Sequence, residues 1–344
     1  MELEKLVRPN ILKLEPYSCA RNEFSGTASV WLDANESPFN GPYNRYPDPL
    51  QMQVKQQLSA IKGVPVESIF LGNGSDECID LMYRIFCTPG IDNVVAMSPS
   101  YGMYQVCADV NDVEYRTVPL NDDFSVNFDA MLEAADEHTK VMWICSPNNP
   151  TGTAADAADL LNFGKRAKCI VVIDEAYIDF SSKPTMLTHL AELPNVVVMQ
   201  TLSKAWGSAG VRLGMAFAQP AIIALMNNVK YPYNVNMLTQ QYALERLASR
   251  DEVAQQVETL LNEREWLIKA LSQAEAVKHI YPTDANFVLV RVDDADALYK
   301  ALLGQGTVVR NRNRVSMCQG CLRITVGTHQ ENVTLMNQIN EYAR

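Results

Sequence analysis

No stretch of the 344-residue chain approaches the ~20 consecutive apolar residues that span a bilayer. The opening MELEKLVRPNILKLEPY also lacks an apolar signal core, so a cytoplasmic protein with no membrane partner is expected. Positive charge is scarce: 29 Lys and Arg face 40 Asp and Glu, a formal net charge of -11. Such a surface repels a nucleic-acid backbone, which argues against that partner unless a local basic patch exists. One dense cationic run is present, Arg310-Asn311-Arg312-Asn313-Arg314, and it reads as a solvated loop or as a site for a small anion. There is no internal repeat and no low-complexity segment. There is no dinucleotide fingerprint either: LGNG (71–74) lacks the third glycine and follows no strong strand. The Gly-Lys-Ser/Thr of nucleotide hydrolases is missing from the same place.

The eight cysteines are scattered, and several, such as Cys145 and Cys169, sit in apolar runs. They read as buried reduced thiols of a cytosolic protein. Cys318 and Cys321 form a CxxC, yet no two further ligands lie nearby, and the pair runs into the strand-like CLRITVG rather than opening a helix. Neither zinc nor a redox pair is expected from it.

What is present is an ordinary globular composition, 47% hydrophobic and 20% charged, long enough for two domains or one large α/β unit. Short runs rich in Val, Ile and Met recur at 93–99, 140–147, 168–175, 195–203 and 213–218. They are too short for typical helices and mostly lack alternation, so they predict strands of a largely parallel sheet covered on both faces. From Val235 to about Ala276 the spacing of leucines and alanines predicts helix. A strand (286–292), a helix, a strand pair (TVVR and CLRITVG) and a last helix follow, the last carrying a Thr328/Glu331 capping box. The division expected is an N-terminal segment (1–30) joining the smaller unit, a large domain (31–235) and a connector with a smaller α+β domain (236–344). PFNGPYNRYPDP (38–49) is too proline-rich for helix or central strand.

Four segments carry chemistry. TLSKAWGSAGVRLG (201–214) sets Lys204 after a predicted strand, among small residues, with Thr201, Ser203 and Arg212 as donors suited to a phosphate. A partly dehydrated lysine is a neutral nucleophile, whereas a surface-turn lysine is the commoner case. In IDEAY (173–177), Asp174 ends a buried apolar strand, where it either meets a cationic ligand or caps a helix. SPNNPTG (146–152) is a tight turn that presents Asn149. In LGNGSDE (71–77), Gly74, Ser75 and Asp76 open a helix whose free N–H groups and dipole favour an anion. Tyr101 in SPSYGMY is placed to stack on a ring or to fill core.

Together these motifs resemble the fold-type I, class II-like aminotransferases that use pyridoxal phosphate (PLP), and more narrowly the histidinol-phosphate aminotransferase subfamily. PYSCAR (16–21), WLDANESP (31–38), RYPDP (45–49), TDANFVLVR (283–291) and CLRITVGT (321–328) extend the resemblance over nearly the whole chain. The resemblance implies an α/β fold, with a large mostly parallel sheet between helices and a smaller α+β domain. It implies that Lys204 holds PLP as a Schiff base and then acts as base. It gives Asp174 the pyridine nitrogen, Asn149 and Tyr177 the ring oxygen, and Tyr101 the ring face. Gly74, Ser75, Asp76, Thr201, Ser203 and Arg212 would surround the phosphate. Tyr46 would reach into the partner's site of a homodimer. Arg323 would bind the substrate carboxylate or phosphate, with Tyr17 and Arg310 as candidates for the distal phosphate and Asn286 for substrate contact. The implied partners are an amino donor and a 2-oxo acid, in L-histidine biosynthesis. Aromatic or broad-range aminotransferases and phosphothreonine decarboxylases share the same machinery. Ser208 in KAWGSAG departs from the bulky apolar residue common there.

Overall fold

The apolar runs form strands because nearly every side chain in them is covered. A computed structural model of the chain, describing residues 3–19 and 28–343, places seven strands in one sheet. They are β1 (Ile69–Asn73), β2 (Asn93–Ser98), β3 (Glu114–Pro119), β4 (Thr139–Cys145), β5 (Ile170–Asp174), β6 (Val196–Thr201) and β7 (Leu213–Phe217). Their order is β1-β7-β6-β5-β4-β2-β3, and only β7 runs against the rest. Every residue of β5, β6 and β7 is buried, which explains the missing alternation.

Two strands differ from the sequence reading. A strand does precede the glycines at 72–74: β1, buried over Ile69–Gly72. Its apolar run is only three residues, too short to stand out, and pairing with β7 completes it. β3 was also unread, because this edge strand is mostly exposed and carries Glu114 and Arg116.

The helices are α1 (Pro9–Leu12), α2 (Met52–Lys62), α3 (Ser75–Phe86), α4 (Met103–Val110), α5 (Phe128–Glu133), α6 (Ala157–Arg166), α7 (Pro220–Val229), α8 (Met237–Ala248), α9 (Arg250–Leu271), α10 (Ala295–Gly304) and α11 (His329–Tyr342). The long helical stretch predicted after Val235 is two helices, divided at Ser249. A second, antiparallel sheet has the order β10 (Arg310–Asn311), β11 (Cys321–Thr325), β9 (Phe287–Val292), β8 (Val277–Ile280). Of TVVR, only Arg310 is in a strand. The capping box at Thr328 and Glu331 forms as predicted.

Two cores result. The larger surrounds the seven-stranded sheet, and the smaller joins β9 and β11 to the C-terminal part of α9, α10 and α11. Packing departs from the expected grouping of residues 1–30 with the smaller unit. Val7 lies in the larger core, and Arg8 donates through its backbone to Ile85 O and through Nη1 to Arg84 O. Ala243 and Leu247 of α8 also join the larger core. Ala20 and Arg21 of the PYSCAR motif fall outside the described residues. The segment 38–49 forms only turns and bends. All eight cysteines are free and buried, Cys318 and Cys321 included. Among the described residues no cluster suits a metal, and no helix is long and apolar enough to cross a membrane.

Candidate active site

A strand's C-terminal end is where a parallel sheet gathers functional side chains, since the following loops converge there. Asp174 ends β5, Thr201 ends β6, Asn149 follows β4, and the Gly74 turn follows β1. These ends open onto one cavity of about 820 Å³. It is lined by Lys204, Asp174, Asn149, Tyr177 and Tyr101, by Ser75, Asp76, Thr201, Ser203 and Arg212, and by Arg310 and Arg323.

Asp174 is 3% exposed. Its Oδ2 accepts from the Tyr104 hydroxyl at 2.7 Å, and its Oδ1 from the Ala176 N–H at 3.1 Å. Burial raises its pKa, while these two donors and Lys204 pull it back. Tyr104 escaped the sequence reading. It lies three residues beyond Tyr101 in YGMY, fully buried, with its ring stacked on Trp143 at 4.7 Å. The neighbouring Glu175 points to the other side of β5, as successive strand residues must. There it accepts from Met186 N–H, Thr185 Oγ1 and Gln200 Nε2, and burial lifts it to about 7.

Lys204 is open to the cavity, with Nζ 5.5 Å from the centre of the Tyr177 ring. Burial of its surroundings and the charge of Arg323 lower its pKa; Asp174 and Asp76 oppose them. The neutral amine is thereby favoured, as a nucleophile or base requires. Asn149 Nδ2 donates to the Tyr177 hydroxyl at 3.4 Å, and Arg323 Nη1 donates to Asn149 Oδ1. Burial raises the Tyr177 pKa, against Arg323 and Arg312.

The helix start at Ser75 is built for an anion. The cap residue Gly74 offers no side-chain acceptor, so the first N–H groups of α3 are left for a ligand. Gly74 N–H donates to Arg212 O at 2.9 Å, and Arg212 Nη2 meets Asp76 Oδ2 at 3.3 Å. Asp76 also accepts from the Tyr101 hydroxyl at 3.1 Å. A Cβ on Gly74 would lie 2.6 Å from Arg212 Nη2, and one on Gly214 would lie 2.1 Å from Ser75 N. Both glycines are therefore required for the close approach of α3, β7 and Arg212. Thr201 Oγ1 donates to Ser203 Oγ at 3.0 Å.

The same cavity holds a cluster of arginines. Arg310 is the cross-strand partner of Arg323, and Arg312 lines the same cavity. Arg312 was noted in the sequence only as part of a cationic run. Three named candidates are not brought to this cavity. Tyr17 is 71% exposed, Asn286 lies just before β9, and Tyr46 stacks on Tyr233 at 4.3 Å beside a separate groove. Ser208 is buried and its hydroxyl donates to Trp206 O at 2.9 Å, which explains how a polar residue is accepted there.

The donor set therefore fits a planar cation-bearing ring with a phosphate: a buried carboxylate needing a positive partner, a poised lysine, and an uncapped helix start with Arg212. Known proteins agree with that arrangement. The family described as aminotransferase class I and II matches residues 17–339. A histidinol-phosphate aminotransferase of Parabacteroides distasonis is 57% identical over 336 residues, covering 98% of this chain and 97% of its own. One from Bacteroides fragilis is 53% identical, covering 99% of each. The crystal structure of histidinol-phosphate aminotransferase from Sinorhizobium meliloti in complex with pyridoxal-5'-phosphate shares the fold, with a TM-score of 0.80 over 90% of this chain and 89% of that one, at 23% identity. By matches spanning nearly its whole length, the chain belongs to the class I and II aminotransferases, in their histidinol-phosphate aminotransferase branch.

Proposed function

We propose that the chain is a PLP-dependent aminotransferase that exchanges an amino group between histidinol phosphate and 2-oxoglutarate, giving imidazole-acetol phosphate and glutamate, in L-histidine biosynthesis. The observation that carries this reading is the single cavity that Lys204 and Asp174 share with Arg212 and the start of α3, and with Arg310 and Arg323. When bound, PLP supplies an electron-withdrawing ring that acidifies the amine's Cα–H. Ser75, Thr201, Ser203 and Arg212, with the start of α3, hold its phosphate. Asp174 keeps a proton on the ring nitrogen, and Tyr104 and the Ala176 N–H fix that carboxylate. Asn149 and Tyr177 orient the ring oxygen, and Tyr101 covers the ring. Lys204 Nζ takes the proton from the substrate Cα, a role worth ~100- to 10,000-fold. Arg323 and Arg310 bind the anionic end, which is a carboxylate in glutamate and a phosphate in histidinol phosphate; a guanidinium fork suits both.

We also infer a homodimer in which Tyr46 serves the partner's site. Leu32, Phe39 and Tyr43 are 91%, 74% and 60% exposed on the same segment, an apolar surface that favours a covering subunit. The free buried thiols favour a cytoplasmic setting.

The test is the visible absorbance of the purified protein with PLP, before and after histidinol phosphate, with phenylalanine and phosphothreonine as parallel single-turnover substrates. A PLP band that is lost on adding histidinol phosphate is expected. A protein that stays colourless with added PLP refutes the cofactor. Turnover of phenylalanine or decarboxylation of phosphothreonine, with no reaction on histidinol phosphate, refutes the substrate.

A further inference from the structure

We propose that Arg312 is a third guanidinium of the substrate-anion subsite, beside Arg310 and Arg323, and that it makes the site prefer a phosphate dianion to a carboxylate. This rests on the reading of the cavity as a site for a phosphate-bearing amine. The alternation in Arg310-Asn311-Arg312-Asn313 explains the placement. Asn311 and Asn313 each donate through Nδ2 to Asp296, at 2.6 and 2.9 Å, on the first turn of α10. Asn313 Oδ1 also accepts the Gly320 N–H at 2.8 Å. Successive residues of an extended segment face opposite ways. With both asparagines tied to α10, Arg310 and Arg312 face the cavity, and both line it. The Arg312 N–H donates to Cys321 O at 2.9 Å, which holds this backbone beside β11. The chain then turns, with Val315 N–H donating to Arg312 O, and Arg314 is exposed and does not line the cavity.

The three guanidiniums lack an internal counter-charge. Among the described residues no carboxylate comes within 4.0 Å of any of them, although Arg116, Arg166 and Arg246 elsewhere all have such partners. The Nε atoms of Arg312 and Arg323 are buried with no hydrogen-bond partner. Burial, then Arg323 and Arg310, depresses Arg312 to about 10, so it remains charged at neutral pH in a place that does not favour charge. An anionic ligand relieves that cost. Two guanidinium forks satisfy a carboxylate's two oxygens. A phosphate monoester presents three terminal oxygens and nearly two charges above its second pKa of about 6, and so engages a third.

The test compares R312Q, R312K and the exposed-site control R314Q as holoenzymes. Stopped-flow half-reactions with histidinol phosphate and with glutamate are measured beside calorimetric titration with inorganic phosphate and with acetate. R312Q is expected to weaken histidinol phosphate and inorganic phosphate ~10- to 100-fold. Glutamate and acetate should change less than about threefold, as should the limiting rate constants, since the loss is of binding shared by ground and transition states. R312K should recover part of the phosphate affinity through charge alone, and R314Q should behave as wild type. Unchanged phosphate affinity in R312Q, or equal weakening of phosphate and acetate, overturns the proposal. If R312Q fails to fold, R312K carries the test: a selective loss of phosphate supports the fork, and wild-type affinity overturns it. A wild type inert toward histidinol phosphate whose phosphate affinity still depends on Arg312 refutes the substrate assignment and leaves the anion subsite standing.

Discussion

Replacing Asp174 with asparagine keeps the shape of the side chain and removes its charge, and its surroundings predict two effects of opposite sign. Without cofactor, the ionised carboxylate would be a buried charge at 3% exposure, held by two donors and, among the described residues, by no ion pair, with Lys204 the cation that acts on it. Burial raises its folded pKa above the ordinary 3.8. An acid with a raised folded pKa costs stability when ionised: the cofactor-free fold gains stability as pH falls through that value and carries the full cost above it. D174N removes the cost. Relief of ~1–3 kcal/mol, at ~1–2 °C per kcal/mol for a chain of this length, predicts that cofactor-free D174N melts ~1–6 °C above wild type at pH 8. With cofactor, the same change removes the partner of a buried cation. Breaking such a pair costs ~3–5 kcal/mol, so kcat/KM for histidinol phosphate should fall ~100- to 10,000-fold. The stabilisation on adding PLP should shrink as well. Melting curves with and without PLP, alongside stopped-flow transamination, read both effects. A kcat/KM within tenfold of wild type, or a cofactor-free variant that melts below wild type at pH 8, would refute the reasoning.

Other consequences are equally direct. Y104F removes the 2.7 Å bond to Asp174 Oδ2 and should lower kcat ~10-fold while KM for both substrates holds; an unchanged kcat would leave Tyr104 a packing residue only. The cofactor-free protein should take up PLP faster as pH rises, because the neutral Lys204 amine reacts. The inflection should lie below 10.5 and should move upward in R323Q, since Arg323 is among the causes that depress it; an inflection at or above 10.5 in wild type would contradict the electrostatics. G214A places a methyl against Ser75 N and should cost ~1–3 kcal/mol of stability and weaken PLP binding more than tenfold, measured by equilibrium dialysis; wild-type PLP affinity would show that α3 does not need this approach.

Much of the site was legible because its residues follow strands that announce themselves. VMWIC, IVVI and VVVM are apolar, and the polar residues that follow each run, among them Asn149, Asp174 and Lys204, stand out against them. Topology was not legible. No local signal says that β1 lies against β7, yet this pairing brings the Gly74 turn to Arg212, which is 138 positions away in the chain. β1 was hidden because its apolar run is short, and β3 because an edge strand is allowed to be polar. Asp174 and Glu175 are adjacent acids that differ only in which face of β5 they take, and strand register decides it. Tyr104 reads as a core aromatic on a helix, and it is one; its ring stacks on Trp143 while its hydroxyl reaches Asp174. For Arg312 the alternation was in plain view. Which of its two faces met the cavity depended on Asp296, a residue 16 positions earlier that captures the asparagines.

Charge distribution ties these pieces together. The chain as a whole carries a formal charge of -11, while five cationic side chains and two carboxylates line the cavity. Asp76 is occupied by Arg212, and Asp174 is the buried carboxylate proposed above to meet the ring nitrogen. Among the described residues the other arginines have no carboxylate partner, so a bound anion is what answers them. Keeping them unpaired costs stability, and that cost is what a phosphate or carboxylate recovers on binding. The same charges act on Lys204: after burial, Arg323 and, more weakly, Arg212 depress its pKa, against Asp174 and Asp76. An anion that neutralises Arg323 offsets that cause, so a bound substrate should raise the basicity of the free Lys204 amine.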